Sequence, residues 1–338
     1  MKQKLVTPVY LVCTLLIALF LAAGVIAISG EDPWLSFQAL LTGAFGDMSA
    51  LSETMIKATP LAISGLAVAL GLRAGLFNIG VEGQLLVGGI ASAWLGQAVR
   101  LPAVVHIPAC LAIGFLTGAL WGLLPGFLKA RRGVHEVITT IMMNYIALYL
   151  THYLVLNSLK DPYTMSPQTS PIYPSARLPQ IAELGNIHFG VLLALGLIFI
   201  HALFVSRTVW GYEMTIVGSS PNAARSAGIN VPKILVLVML LSGGIAGVSG
   251  AVEVMGVHHK FYDQFSPGYG FDSIAVALLG NASSLGTGLS AILFGALRNG
   301  AVSMQLVTDT PKEIITIIQA IVIIFAGARF LRQHQSSK

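Results

Sequence analysis

Apolar runs long enough to cross a bilayer follow one another along this chain. They fall near residues 9–29, 54–72, 80–99, 103–128, 134–156, 188–206, 233–257, 288–306 and 311–328, with a shorter one at 271–281. A run of about 17–25 apolar residues, wound as a helix, matches the hydrocarbon thickness of a membrane. A helix also satisfies its own backbone polar groups, which lipid cannot do. The pattern therefore predicts an all-α, polytopic membrane protein of about ten transmembrane helices, with residues 1–338 forming one transmembrane domain. Composition agrees: charged residues are 10% and hydrophobic ones 55% of the 338, where a soluble domain carries about 25% charge.

The positive-inside rule sets the orientation. With the N-terminus cytoplasmic, Lys2, Lys4, Arg73, Lys129, Arg131, Arg132, Arg207, Arg225, Lys233, Arg329, Arg332 and Lys338 lie inside, 12 of the 19 Lys and Arg. Six lie outside (Lys57, Arg100, Lys160, Arg177, Lys260 and Lys312), and Arg298 is left within the membrane unless its span ends near Leu297. Ten spans put both termini in the cytoplasm. Basic residues at the ends of apolar runs fix topology, so the net charge of +5 is no sign of nucleic-acid binding. The first run, 9–29, is longer than a signal-peptide core and lacks a small-x-small ending, so it reads as an uncleaved first span.

Two connections exceed simple turns. Residues 157–187 lie outside and hold Pro162, Pro167, Pro171, Pro174 and Pro179, which argues against regular helix there. Residues 207–232 lie inside. There Ser220 is placed to cap a short Ala-rich helix with Pro221 at its first position, and Gly228 to stop it. A capped helix on the cytoplasmic face is shaped to dock on a soluble partner.

Two Gly-rich breaks interrupt the spans. Gly71-Leu72-Arg73-Ala74-Gly75-Leu76-Phe77-Asn78-Ile79-Gly80-Val81-Glu82-Gly83-Gln84 mixes four glycines with four polar side chains, and Gly280-Asn281-Ala282-Ser283-Ser284-Leu285-Gly286-Thr287-Gly288 repeats the theme. Irregular backbone at membrane depth needs protein cover or a water-filled cavity, and paired breaks point to a translocation path. Ordinary surface turns are the bland alternative. The amides of Asn78, Gln84, Asn144 and Asn281, with the carboxylate of Glu82, are candidate path residues, because amides offer donors and acceptors together to a polar, neutral solute. Interhelical hydrogen bonding is the competing job. Tyr145 and Phe77 are rings on which a flat solute could stack.

Catalytic and metal signatures are missing. There is no Gly-x-x-x-x-Gly-Lys-Ser/Thr phosphate loop, no His-Glu-x-x-His and no Gly-x-Ser-x-Gly elbow. His258-His259 reads as an exposed pair at a span end, and Cys13 and Cys110 as buried small side chains. No enzyme activity, metal or cofactor is expected of the chain itself.

The 71–84 run looks like the signature of a bacterial ABC-importer permease family serving ribose and other sugars, branched-chain amino acids and nucleosides. Gly133-Val134-His135-Glu136-Val137-Ile138-Thr139-Thr140-Ile141-Met142-Met143-Asn144-Tyr145 resembles its nucleoside and simple-sugar branch more closely. Gly218-Ser219-Ser220-Pro221-Asn222-Ala223-Ala224-Arg225-Ser226-Ala227-Gly228 is similar to its coupling segment, and Phe271-Asp272-Ser273-Ile274-Ala275-Val276-Ala277-Leu278-Leu279-Gly280 to its late-span motif. Relatives often carry Asn where Ser219-Ser220 stand; both residue types cap.

The resemblance implies the transmembrane subunit of a type II importer in the bacterial inner membrane, carrying nucleosides or related simple sugars. It implies cytoplasmic ATP-binding subunits that hydrolyse ATP, a second permease subunit and an extracytoplasmic solute-binding protein. Gly218, Pro221, Asn222, Ala223, Ala224 and Gly228 would couple the chain to the ATPase. The alternatives are a ribose, other sugar or branched-chain amino acid permease of the same family, or an ion-coupled secondary transporter. The last would need a membrane-embedded carboxylate cluster, whereas the acidic residues here mostly sit at span ends.

Overall fold

The computed structural model describes residues 20–181 and 186–308, together with 17, 314, 316, 317 and 320. All of its extended elements are helices: α1 (20–28), α2 (Pro33–Phe45), α3 (Met48–Arg73), α4 (Val81–Ala98), α5 (Ala103–Arg132), α6 (Glu136–Leu156), α7 (Gly190–Arg207), α8 (Val209–Ser219), α9 (Pro221–Ser226), α10 (Val231–Glu253), α11 (Tyr269–Leu279) and α12 (Ser284–Thr308). Among the described residues five helices are long and apolar enough to cross a membrane: α3, α5, α6, α7 and α10 with its extension to His258. Helices α4 and α12 occupy two further predicted spans, but their Gly, Ser, Thr and amide content keeps them out of that group. Much of the first run, 9–29, and nearly all of the last, 311–328, lie outside the described residues. The apolar window is 83% buried in α3 and 67% in α10 but only 17–28% in α5, α6 and α7, so α3 and α10 are largely covered by protein and the other three have wide outer faces.

The chain divides into two compact units. Unit 1 holds residues 1–58, 182–187 and 292–338. Its α2 begins where the Asp32 carboxylate accepts from the N–H groups of Trp34 and Leu35, with Pro33 at the first position, a standard N-cap. Ala22, Ile26, Leu40, Leu297, Ala301, Met304 and Ile314 form its apolar core. Asn299 ties the polar side together: its Nδ2 donates to the Gly43 and Ala50 carbonyls and to Thr54 Oγ1, and its Oδ1 accepts from Lys57 Nζ at 3.0 Å. Arg298 lies within α12, next to this amide in sequence.

Unit 2 holds residues 59–181 and 188–291. Its centre is a seam between α4, α5 and α10, where backbones touch. A Cβ on Gly247 would overlap the Gly114 carbonyl, one on Gly118 the Gly243 carbonyl, and one on Gly250 the Leu85 carbonyl. Gly114, Gly118, Gly122 and Gly126 recur every fourth residue, the small-xxx-small spacing that lets membrane helices approach closely. Ser242 and Ser249 of α10 donate to the Ala67 and Pro60 carbonyls of α3. The Pro-rich segment after α6 contains one 3-10 turn, Pro174–Ala176, and its other described residues are turns, bends and irregular chain. Its backbone is nonetheless satisfied: the N–H groups of Thr169, Ile172 and Leu178 donate to the carbonyls of Phe261, His259 and Met255, and Asp263 N–H to that of Pro167. Unforeseen in the sequence is a π-turn, Val254–His258, at the end of α10.

Candidate functional site

The first Gly-rich break is residues 74–80, between α3 and α4. Gly75 turns it with φ +72°, lying against the Gly218 backbone, and Leu76 anchors it among Met214, Val217, Ala224, Val231 and Val238. The chain then turns inward to Asn78, which is 1% exposed. Asn78 Nδ2 donates to Gln84 Oε1 at 3.0 Å and to Ser242 Oγ at 2.8 Å, while its Oδ1 accepts from Gly80 N–H. Asn144 reaches in from α6: its Oδ1 accepts from Gly83 N–H at 2.8 Å and its Nδ2 donates to the Ile79 carbonyl at 2.9 Å. Each amide thus binds backbone that the break leaves without helical partners. Tyr145 points the other way, 54% exposed on α6.

Glu82 sits in the first turn of α4, 8% exposed, and its Oε2 accepts from Gly270 N–H at 2.6 Å in the first turn of α11. One carboxylate therefore serves two positive helix ends. Glycine at 270 is required by the approach, since a Cβ there would strike the Glu82 backbone.

The second break, 280–283, meets the first through Arg73, whose Nε donates to the Ala282 carbonyl at 3.0 Å. Asn281 and Ala282 are both left-handed, φ 52° and 49°, a conformation that disfavours alanine by about 1 kcal/mol. The paired breaks therefore do come together. Of the five predicted path residues, Asn78, Gln84 and Asn144 are buried together around the first break, Glu82 is buried against the start of α11, and Asn281 stands apart on an exposed turn.

The corner that follows α7 is built as its sequence suggests. Thr208 caps α8 by accepting from Gly211 N–H, and Ser220 caps α9 by accepting from Ala223 N–H at 3.3 Å, with Pro221 first and Gly228 at φ +79° after it. Pro221, Asn222, Ala223 and Gly228 are exposed, Gly218 is half-buried and Ala224 is fully buried as the anchor. Asn222 Oδ1 accepts from Arg225 Nη1. Helix α8 escaped the sequence reading because 207–232 is too polar to stand out as a span. Val209, Trp210 and Tyr212 remain exposed on it.

A further group was not legible in the sequence. At the π-turn Glu253 accepts from Tyr269 OH at 3.3 Å and lies 3.3 Å from His258 Nε2, while Tyr262 and Phe265 pack their edges on the His258 ring. Burial first, and the Glu253 charge second, push the Tyr262 hydroxyl above its usual range. His258 and His259 are half-buried, not the exposed pair expected. His188 lies fully buried against Gly190 and Gly256, and burial lowers its imidazole below the usual range. Among the described residues no group of three or more His, Cys, Asp or Glu could hold a metal ion.

The family model described as branched-chain amino acid transport system / permease component matches residues 50–327. The chain belongs to this family. It is 42% identical over 328 residues to the guanosine ABC transporter permease protein NupP of Bacillus subtilis, covering 95% of this chain and 93% of that one. The glucose ABC transporter permease protein TsgB13 of Haloferax volcanii is 35% identical, covering 93% and 85%, and the nucleoside ABC transporter permease protein NupB of Lactococcus lactis 33%, covering 92% and 88%. No solved structure matches. This permease is thus a multi-pass membrane protein and a subunit of an ABC importer.

Proposed function

We propose that this permease imports nucleosides, in an inner-membrane complex energised by cytoplasmic ATP-binding subunits. The observation that carries the reading is the 42% identity, over 95% of the chain, to a relative named for guanosine. Residues 1–338 act as one permease domain with about ten spans in the type II arrangement, both termini cytoplasmic and residues 157–187 outside. A second, related permease chain completes the translocation unit, and an extracytoplasmic binding protein delivers solute.

In this reading Gly218, Pro221, Asn222, Ala223, Ala224 and Gly228 couple the chain to the ATPase. The exposed, capped α9, anchored through Ala224 in the same apolar cluster as Leu76, passes its displacement to the 74–80 break. Asn78, Glu82, Gln84 and Asn144 shape the solute path by holding that break, and Asn281 lies at the turn paired to it. A sugar is the second reading, favoured by the glucose permease relative.

Purifying the tagged chain in mild detergent tests the assembly: a soluble ATPase and a second permease are expected to co-purify. The chain emerging alone, from membranes where it transports, would overturn the importer reading. Competition of labelled guanosine uptake by other nucleosides, and none by glucose or ribose, is the expected solute result.

A further inference from the structure

Unit 1 contains a cavity of about 570 Å³ between α2, the start of α3 and the end of α12, within the range that holds a nucleoside-sized solute. It is an open groove of mixed lining, in which Gln38, Thr42, Asp47, Glu53, Asn299 and Ser303 stand beside Leu35, Ala39 and Val307. Asn299 is committed to the protein, as described above, and so is Lys57, whose ammonium bonds to Asn299. Asp47 Oδ1 is partly committed, accepting from Ala50 N–H at 2.6 Å. By contrast, Gln38, Thr42 and Ser303 make no side-chain hydrogen bond to another described residue. Glu53 uses one oxygen, accepting from Asn186 Nδ2 at 3.3 Å, which leaves the other for a ligand. Glycine at 43 lets α12 approach α2 here, since a Cβ there would overlap the Ser303 side chain.

This set of groups selects among ligand chemistries. Carboxylates facing the cavity disfavour a phosphate, and the one lysine nearby is already bonded. No aromatic ring lines the cavity to stack a base. A carboxylate beside neutral donors and acceptors suits hydroxyls, and acidic side chains commonly take the hydroxyls of a ribose. Resting on the nucleoside reading, we propose that this cavity binds the sugar of the solute, with Glu53 accepting from its vicinal hydroxyls and Gln38, Thr42 and Ser303 completing the contacts. In the proposed orientation the first turn of α3 faces outside, so the cavity meets the solute on arrival.

The test uses the full transporter in cells, with Cys13→Ser and Cys110→Ser as background. Thr42→Cys is labelled with a small thiol reagent with and without a ribonucleoside, and Leu41→Cys, exposed on α2 and outside the cavity lining, is the control. Labelling of Thr42→Cys is expected to slow several-fold with ribonucleoside and not with its 2′,3′-dideoxy analogue, leaving Leu41→Cys unchanged. Adding Glu53→Gln should raise the half-protecting concentration about tenfold, the scale of one charge-assisted hydrogen bond. Equal labelling with and without ribonucleoside, in cells whose uptake is intact, would overturn the proposal. If Thr42→Cys fails to reach the membrane, Ser303→Cys gives the same reading from α12. Cells that import no nucleoside at all would instead remove the reading on which the proposal rests.

Discussion

Two regions of this permease use the same kinds of side chain to opposite ends. In unit 2 the amides of Asn78, Gln84 and Asn144 are buried and spend their hydrogen bonds on one another, on Ser242 and on the backbone of the break. In unit 1 Asn299 does likewise, yet Gln38, Thr42 and Ser303 face a cavity with their polar atoms uncommitted. A satisfied buried amide holds structure, because losing its partner strands a desolvated group. An uncommitted polar group on a cavity wall costs little while wet and is available to a solute. Residue type therefore says less about role than the state of each hydrogen bond.

Substitutions can break or sharpen that contrast. The largest effect is expected from Gly247→Leu: its side chain must displace the Gly114 backbone, a clash of about 3 kcal/mol or more, so little monodisperse protein should survive detergent extraction. Next come Asn144→Leu, which strands Gly83 N–H and the Ile79 carbonyl, and Asn78→Leu, which strands Gly80 N–H and the Gln84 side chain. Each should cost about 1–3 kcal/mol and lower the thermal midpoint, whereas Gln38→Ala should leave it unmoved. Normal stability with lost uptake in Asn144→Leu would erase the distinction and make that amide a solute contact.

Acidification probes a third region. Burial lowers the His188 imidazole, so the unfolded chain binds a proton that the folded one resists. Stability is therefore complete above the ordinary histidine range and falls as pH drops through it, by at most about 1.4 kcal/mol per pH unit for one proton. Glu253 opposes the shift and His259 adds to it. A thermal midpoint that declines between pH 7 and 5, and declines less in His188→Gln, is the expected result. The smallest effect belongs to the corner: Ser220→Ala removes one cap bond, about 1 kcal/mol of local helix stability. Insertion should be normal and solute-dependent ATP turnover reduced in the assembled complex.

Periodicity made most of the helices legible. Runs at 103–128, 134–156 and 188–206 reappear as α5, α6 and α7 within a few residues, because wide lipid-facing surfaces leave a continuous apolar signal. Helices α2 and α8 were missed, being short and mixed in composition. The α9 corner was readable because Ser, Pro and Gly have fixed local conformational roles there. The Gly114-Gly118-Gly122-Gly126 spacing takes its meaning from the backbone of α10 that it meets. The cavity carried no sequence signal, since its members lie far apart along the chain, and the Glu253–His258–Tyr269 group carried none because the π-turn and the loop after it bring its members together.

The sequence by itself determined the membrane-spanning helical class, the two Gly-rich breaks, the capped corner and the family, because hydrophobic length, caps and glycine turns are local properties. Tertiary structure alone decided that Glu82 serves two helix ends, that Asn78 and Asn144 bond to the protein around the break, and that Gln38, Thr42, Glu53 and Ser303 share one cavity. Hydrogen bonds and cavities join residues distant in sequence, and no local pattern encodes which partner a side chain will meet.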